Sequence, residues 1–236
     1  MDKQGNAYTF IYASVMVILV AAVLAFLAQA LKPMQDENEM VAKKMSILGA
    51  INVESNAQNA EEIYAKIIGE SSYIVNFEGE KIEGEAFNVN MAVETRKSIE
   101  DRNYPVFEAN LEDGSKKYII ELRGNGLWGP VWGYLALEDD FNTIFGVTFE
   151  HQGETPGLGA EIDRPDFQNQ FKGKKVFENG VLKGVQVVKN ASKSSNHEVD
   201  AISGGTITSN GVSDMVNNFF KGYENFLKNI ERESHE

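Results

Sequence analysis

The longest apolar stretch of the chain covers residues 6–31, NAYTFIYASVMVILVAAVLAFLAQAL, and contains no Lys, Arg, Asp or Glu. Because a helix needs roughly 20 apolar residues to cross the hydrocarbon core, this run predicts a membrane-spanning helix, with Tyr8 and Tyr12 in the aromatic belt. A cleaved signal peptide is the alternative, since Ala28-Gln29-Ala30 fits an A-x-A cleavage site. The run is longer than a usual signal-peptide core. We therefore expect residues 1–33 to stay as a transmembrane anchor in contact with membrane lipid around residues 6–31.

The charges that flank this run do not fix its orientation. Lys3 lies on one side, and Lys32, Lys43 and Lys44 lie on the other among several acidic residues. The positive side slightly favours a cytoplasmic C-terminal part, but large domains cross the membrane largely regardless of charge.

Two apolar stripes with helical spacing follow, separated by the polar residues 54–59. The stripes predict a helical stalk or packing segment over residues 34–70, and their members are Met40, Val41, Met45, Leu48, Ile51, Ile63, Ile67 and Ile68.

Residues 72–189 have a different texture, in which short β-prone runs alternate with glycine-containing turns. The runs are YIVNF, FNVNMAV, YPVFEA, KKYIIELRG, VWGYLALE, TIFGVTFE and KGVQVVKN. They predict a twisted antiparallel sheet. From Val212 to Ile230 apolar residues recur at i, i+3, i+4 and i+7, which predicts a helix with one broad buried face, for which Thr208 or Ser209 would be the N-cap. The fold class is therefore α+β: one N-terminal transmembrane helix followed by an antiparallel-sheet domain, residues 71–236, flanked by helices.

Composition excludes several kinds of site. The formal net charge of −13 disfavours nucleic acid as a partner. The absence of cysteine excludes disulfides, cysteinyl zinc sites and protein-bound iron–sulfur clusters. His151, His197 and His235 have neither a metal-like nor a triad-like spacing, so we expect no metal site and no catalytic residues. His151, near the loop of residues 153–159, is expected to be a solvated loop residue, with contact to a ligand of that loop as the alternative.

The sequence DAISGGTITSNGV, residues 200–212, places two glycines and several hydroxyls directly before the predicted C-terminal helix. The unpaired N–H groups of a first helical turn, together with the helix dipole, favour an anion, and glycine lets the backbone approach a ligand closely. The residues alone thus suggest a phosphate site. A plain glycine-rich turn with a Ser or Thr cap remains an open alternative.

The spacing Asp200-x-x-Ser203-Gly204-Gly205-Thr206 resembles the flavinylation motif D-x-x-S/T-G-A-T of proteins that carry covalent FMN. The resemblance implies that Thr206 holds FMN through a phosphoester bond, installed by a flavin transferase that uses FAD. Asp200 stands where the motif has its acid, and we hypothesise that the transferase reads it or that it binds a metal used during the transfer. A plain turn-initiating Asp is the alternative. Gly205 departs from the usual Ala, and because it keeps the site small we expect it to be tolerated.

Two further stretches resemble the same family. GETPGLGAEI, residues 153–162, is similar to its flavin-proximal loop, and a type II turn is expected at Thr155-Pro156-Gly157-Leu158. Such a turn could aim backbone amides at the polar edge of the flavin, with Glu154 beside it. In GNGLWGPVWGYLAL, residues 124–137, Leu127, Trp128 and Trp132 could wall the ring. Core packing and an ordinary surface turn remain open for these residues.

The whole chain resembles the C subunits of the sodium-translocating NADH:quinone oxidoreductase. That resemblance implies a single-pass subunit of the bacterial inner membrane with its flavin domain on the periplasmic side. Such a subunit relays electrons to other subunits of the complex and has no complete active site of its own. Two alternatives remain: the G subunit of Rnf-type ferredoxin:NAD oxidoreductases, and a flavin-free anchored binding module.

Overall fold

The computed structural model describes residues 5–233, and the side chains through Ile230. Lys3 and His235 lie outside the described residues. The chain divides into two compact units between Lys43 and Lys44.

The helices are α1 Asn6–Ala50, α2 Ala60–Ile67, α3 Met91–Glu94, α4 Pro165–Gln168 and α5 Thr206–Glu233. Short 3-10 turns occupy Ala86–Asn88, Ile99–Asp101, Gly159–Asp163 and Asn169–Phe171. The strands are β1 Ser72–Val75, β2 Lys81–Ile82, β3 Tyr104–Asn110, β4 Lys116–Asn125, β5 Pro130–Leu137, β6 Ile144–His151, β7 Phe177–Glu178, β8 Val181–Leu182, β9 Gln186–Val188 and β10 Glu198–Asp200.

The N-terminal part of α1 is long and apolar enough, by length and composition, to cross a membrane. Its large apolar side chains from Phe10 to Leu31 are exposed, as expected for a surface that hydrocarbon would cover. The helix continues through Pro33 to Ala50. The division of the chain at residues 33 and 70 stays a prediction.

Within residues 5–233, six strands form one antiparallel sheet in the order β2-β1-β3-β4-β5-β6. Strands β4 and β5 pair from Tyr118 opposite Leu137 to Asn125 opposite Pro130. Their connection is a tight turn closed by a hydrogen bond from the Gly126 amide to the Gly129 carbonyl at 2.8 Å. This turn places Leu127 and Trp128 at its tip.

Each face of the sheet carries its own apolar core, because neighbouring residues of a strand point to opposite faces. Ile120 and Leu122 of β4 pack in the core that contains the buried face of α5. Ile119 lies on the other face, in a core with Leu48 at the end of α1 and Tyr64 of α2. The predicted α+β class, the antiparallel sheet and the flanking helices are therefore confirmed.

The end of α1 is fixed to strand β6 by polar contacts as well as by burial. Ser46 Oγ donates to Glu150 Oε1, and Thr148 Oγ1 donates to the Ser46 carbonyl at 3.0 Å. A Cβ at Gly146 would stand 2.5 Å from the carbonyl oxygen of Ala50, so a glycine is needed where the helix end meets the strand.

Two of the strand predictions are wrong in detail. FNVNMAV forms a 3-10 turn and the short helix α3, because Asn90 caps that helix by accepting from the Ala92 amide at 3.0 Å. KGVQVVKN contributes β9, which pairs in parallel with β10 outside the main sheet. Apolar alternation in these runs reflects one-sided burial of short segments and does not report sheet membership.

Candidate functional site

Helix α5 begins at Thr206, so the glycine-rich segment ends where the helix starts. Thr206 is exposed, whereas Thr208 and Ser209 are buried inside the first turns. The prediction that Thr208 or Ser209 is the N-cap is therefore wrong. Their hydroxyls serve tertiary contacts instead: Thr208 Oγ1 donates to Glu154 Oε2 at 2.6 Å, and Ser209 Oγ accepts from the Ile202 amide at 3.0 Å.

A cavity of about 220 Å³ lies at the start of α5. The three stretches singled out in the sequence meet there, although they are far apart in the chain. The β4–β5 turn contributes Leu127; the loop after β6 contributes Glu154, Thr155, Leu158 and Gly159; the start of α5 contributes Gly204, Gly205, Thr206, Ile207 and Thr208.

Glu154 joins these three segments. Its side chain is 5% exposed. One carboxylate oxygen accepts from the Trp128 amide at 2.8 Å, and the other accepts from Thr208 Oγ1 at 2.6 Å. Hydrogen bonds to an ionised acceptor are roughly twice as strong as neutral ones. Glu154 therefore fixes the turn between β4 and β5 against the first turn of α5.

Gly159 is what allows this carboxylate to fit. A Cβ at position 159 would lie 2.3 Å from Glu154 Oε2 and 2.4 Å from Thr208 Oγ1. Any side chain there would push apart the hydrogen-bonded pair.

The turn predicted at residues 155–158 is present. The Leu158 amide donates to the Thr155 carbonyl at 3.1 Å, and Gly157 has φ +76°, as the third position of a type II turn requires. Its amides are occupied within the loop, because the Gly157 amide donates to Glu161 Oε1 at 2.9 Å. The loop therefore presents the apolar side chain of Leu158 to the cavity, while the amides of Gly157 and Leu158 are hydrogen-bonded within the loop.

Leu158 also explains the two glycines before Thr206. Gly204 has φ +77°, and a Cβ there would stand 2.6 Å from Leu158 Cδ2. At Gly205 a Cβ would lie 3.0 Å from Ile202 Cγ2 and 3.2 Å from the Leu158 backbone. An Ala, the usual residue of the flavinylation motif, would thus need a shift of a few tenths of an ångström at position 205.

Apolar side chains are exposed around Thr206. Leu127 is 49% exposed, Trp128 69%, Leu158 40% and Ile207 57%. We call these four side chains the apolar rim. Core packing is therefore excluded for Leu127 and Trp128, which leaves them available to a ligand or a partner.

Asp200 and Ser203 do not line the cavity at Thr206. Asp200 borders a different cavity of about 540 Å³ with Glu161, Arg164 and Asp166, and its Oδ1 accepts from the Ala191 amide at 2.8 Å. Ser203 is exposed in the turn before α5. Within residues 5–233, no group of three or more His, Cys, Asp and Glu side chains could hold a metal ion.

Sequence reasoning missed three features of the site. Gly159 and Ile207 line the cavity, and His151 is a structural residue whose Nδ1 accepts from the Glu154 amide at 3.2 Å. The prediction that His151 is a solvated loop residue is wrong, because its side chain is largely buried. The spacing of three residues between His151 and Glu154 is the sequence signal that could have predicted this contact.

The chain is similar to known proteins over most of its length. Residues 126–221 match the family described as FMN-binding domain, a span that includes every segment of the cavity at Thr206. Two relatives, both C subunits of Na(+)-translocating NADH-quinone reductase, are similar in sequence. The protein of Vibrio parahaemolyticus is 32% identical over 218 residues, 83% of each chain. That of Haemophilus ducreyi is 31% identical over 235 residues, 93% of this chain and 91% of the relative.

Two crystal structures share the fold. One is the C subunit of Na(+)-translocating NADH-quinone reductase from Parabacteroides distasonis, 49% identical, with a TM-score of 0.77 over 84% of this chain and 96% of that one. The other is Shewanella oneidensis NqrC, 26% identical, with a TM-score of 0.69 over 83% of this chain and 99% of that one. With identities above 30% over most of both chains, the sequence and the fold lead to one conclusion: the chain belongs to the family of Na(+)-translocating NADH-quinone reductase C subunits, whose FMN-binding domain it carries.

Proposed function

We propose that this chain is the electron-transferring C subunit of a sodium-pumping NADH:quinone oxidoreductase complex, with FMN bound covalently by a phosphoester to Thr206. The observation that carries the proposal is the meeting of three distant segments in one cavity with the exposed Thr206 at its edge. Family membership supplies the cofactor and the type of complex. The attachment residue, the membrane anchor and the orientation are further parts of the proposal.

Accessibility favours Thr206 as the acceptor over the neighbouring hydroxyls. A transferase must reach the oxygen that it modifies, and Thr206 is exposed. Thr208 is 1% exposed and Ser209 is 0% exposed, and both hydroxyls are engaged in the contacts described above.

Attachment of FMN to Thr206 is a phosphoryl transfer from FAD to the threonine hydroxyl. Thr206 Oγ1 bonds to the phosphorus of the FMN half of FAD, the pyrophosphate bond breaks, AMP leaves, and the hydroxyl proton is lost. A dedicated flavin transferase performs this step, with Asp200 outside the cavity as a residue it reads or as a ligand to its metal. The position of Asp200 beside a separate cavity supports a role in recognition and not in holding FMN.

The residues of the cavity fit the two ends of FMN. The first amides of α5 and the helix dipole favour the phosphate at Thr206, and Gly204 and Gly205 let the backbone approach it. The apolar rim offers Trp128 and three aliphatic side chains as walls for the ring. When bound, FMN supplies the one- and two-electron chemistry, and the protein positions the ring and sets its environment.

The size of the cavity is consistent with electron relay. Sites that bury most of a small ligand have volumes of about 300–1,000 Å³, and this cavity is smaller, at about 220 Å³. Part of the ring would therefore stay uncovered, together with the apolar rim. An uncovered ring edge beside an apolar surface is what a neighbouring protein of the complex needs in order to exchange electrons.

Helix α1 anchors the chain in the bacterial inner membrane, with lipid around residues 6–31, and the flavin domain lies on the periplasmic side as the family resemblance implies. Free FMN is scarce outside the cytoplasm, so a covalent link keeps the site loaded by making rebinding intramolecular. The FMN-binding match argues against a flavin-free binding module, and the similar sequences named above are C subunits and not Rnf G subunits.

The test is flavin fluorescence of the denatured chain on a gel after co-expression with a flavin transferase. We expect a fluorescent band for the wild-type chain, none without the transferase and none for Thr206→Ala. Thr206→Ser keeps the hydroxyl and serves as the matched control that restores the band. A fluorescent Thr206→Ala band, or a native peptide with unmodified Thr206 in transferase-competent cells, would refute the assignment.

Orientation is tested separately. The chain has no cysteine, so a single Cys at the exposed loop residue Gly153 can be labelled by a membrane-impermeant maleimide. We expect labelling in intact cells with a permeable outer membrane. Labelling only after lysis would place the domain in the cytoplasm.

A further inference from the structure

A larger cavity, of about 560 Å³, borders the same turn and the same helix as the cavity at Thr206. Gly124 and Asn125 line it from the end of β4, and Gly211 lines it from α5. Arg96, Arg102 and Arg123 also line it, and we call it the arginine cavity. It holds three of the five arginines of a chain whose net charge is −13, and no lysine among the described residues lines it.

Two of these guanidinium groups are held in place by their neighbours. Arg102 donates from Nε to the Lys97 carbonyl and from Nη2 to the Thr95 carbonyl, each at 3.3 Å. The guanidinium carbon of Arg123 lies 5.8 Å from the centre of the Trp132 ring, within cation–π range. Both side chains are half-buried, and Arg96 is exposed. Positions fixed before a ligand arrives reduce the entropy lost on binding.

The three charges have no acidic partner in the described part of the chain. Arg164, in contrast, lies 3.6 Å from Asp163 and 4.0 Å from Glu161. Asp214 lines the arginine cavity but forms no ion pair with any of the three. Like charges that share a cavity repel each other, so a bound anion would stabilise this arrangement.

We propose that the arginine cavity binds a phosphate-bearing anion. The planar fork of arginine matches phosphate oxygens bidentately, which explains arginine in place of lysine. One carboxylate would balance a single guanidinium, whereas a phosphate monoester carries about −1.5 to −2 charges and three acceptor oxygens. A volume of about 560 Å³ is in the range of small-molecule sites and larger than bare phosphate requires.

The ligand is therefore a phosphate ester. Asp214 and the amides of Asn125 and Asn218, which also line the cavity, offer hydrogen bonds to hydroxyls of its organic part. A soluble ester and a phospholipid head group share this chemistry. The site is separate from the FMN attachment proposed at Thr206, since the two cavities have no lining residue in common.

The experiment is calorimetric titration of the full-length, flavin-loaded chain in detergent and phosphate-free buffer, with AMP in one arm and short-chain phosphatidic acid in the other. We expect one site per chain in at least one arm: binding of AMP identifies a soluble ester, and binding of the lipid alone identifies a head group. Arg96→Gln and Arg123→Gln should each weaken binding roughly 10- to 150-fold, the loss typical of a hydrogen bond to a charged group. Arg164→Gln is the matched control and should bind like the wild type.

Several results would overturn the proposal. The first is no binding in either arm up to about 10 mM, a concentration far above the Kd of ordinary sites. The second is wild-type binding by Arg96→Gln and Arg123→Gln. The third is binding only of an acidic peptide such as hexaglutamate, which would assign the surface to a partner protein. Thr206→Ala separates this site from the flavin site. We expect the same affinity in that variant even if flavin attachment fails, and a loss of affinity confined to it would move the phosphate to Thr206.

Because the Arg96 side chain is exposed and forms no hydrogen bond with the described residues, Arg96→Gln should fold normally, and it keeps the test valid if Arg123→Gln misfolds.

Discussion

Replacing Glu154 with Ala removes the side chain that joins the β4–β5 turn to the start of α5. Two donors lose a charged acceptor: the Trp128 amide and the Thr208 hydroxyl. A hydrogen bond to a charged group contributes about 1.5–3 kcal/mol. Water can reach the Trp128 amide, since the tip of the turn is exposed, but Thr208 is 1% exposed and its hydroxyl stays unpaired. We therefore expect the free energy of unfolding to fall by about 2–4 kcal/mol.

Glu154→Gln separates the charge from the hydrogen bonds. Its amide oxygen can still accept from Trp128, and its amide nitrogen can donate to Thr208, because a hydroxyl donates or accepts. Only the contribution of the charge to the two hydrogen bonds is lost, so we expect the free energy of unfolding to decrease by about 1 kcal/mol.

The assay is thermal unfolding of the full-length chain in detergent, followed by near-ultraviolet circular dichroism. For a chain of this size 1 kcal/mol corresponds to roughly 2–4 °C in Tm, so Glu154→Ala should unfold about 4–16 °C earlier than the wild type. Glu161→Ala is the control, because its carboxylate also accepts an amide of the same loop but is 38% exposed, and it should cost less than about 1 kcal/mol. A Glu154→Ala variant as stable as the wild type, or a Glu154→Gln variant as unstable as Glu154→Ala, would refute the reasoning.

Three further predictions test the site and the core. Gly159→Ala should lower the free energy of unfolding by about 1–3 kcal/mol, because its Cβ would press on Glu154 and Thr208; Gly153→Ala in the same loop, whose Cβ meets nothing within 4 Å, should be neutral in the same thermal assay. Gly204→Ala should reduce the yield of fluorescent, flavin-loaded chain, because φ +77° and the contact with Leu158 both oppose a side chain, whereas Gly205→Ala should load nearly as well as the wild type. Stability should decrease above pH 10, because burial raises the pKa of Tyr104 to about 12 and holds the pKa of Tyr134 and Tyr223 well above the ordinary value. The unfolded chain then loses these protons at a lower pH than the folded chain, so the free energy of unfolding falls by about 1.4 kcal/mol per pH unit for each tyrosine. Urea unfolding at pH 9 and pH 11 measures this decrease, and Tyr134→Phe should make it smaller.

Patterns that report burial were sufficient to predict the large elements. The i, i+3, i+4 spacing from Val212 to Ile230 predicts α5, and its apolar residues through Leu227 are buried as expected. Alternating runs predict the central strands, since one-sided burial repeats every second residue. FNVNMAV fails because a run of seven residues is too short to distinguish a strand from a capped turn, and the side chain of Asn90 decides the outcome locally.

The candidate site was predictable in its parts but not in its connections. The glycines, hydroxyls and turn signals are local in sequence and were found there. The pairing of Glu154 with Thr208 spans 54 residues, and no periodicity along the chain encodes it. The same applies to the three arginines, which are scattered over residues 96–123 and converge only once α3, β4 and α5 are packed.

The exposure of Thr206 has a consequence for the order of biogenesis. Its hydroxyl is accessible on a finished domain, while the turn that presents it depends on Leu158 and on the buried contacts behind Thr208. If Thr206 is the acceptor, the flavin transferase can act on the folded domain and needs no nascent or partly unfolded substrate. A misfolded chain would present Thr206 only in a segment without fixed structure. Cofactor loading would then act as a checkpoint, marking only correctly built chains for incorporation into the complex.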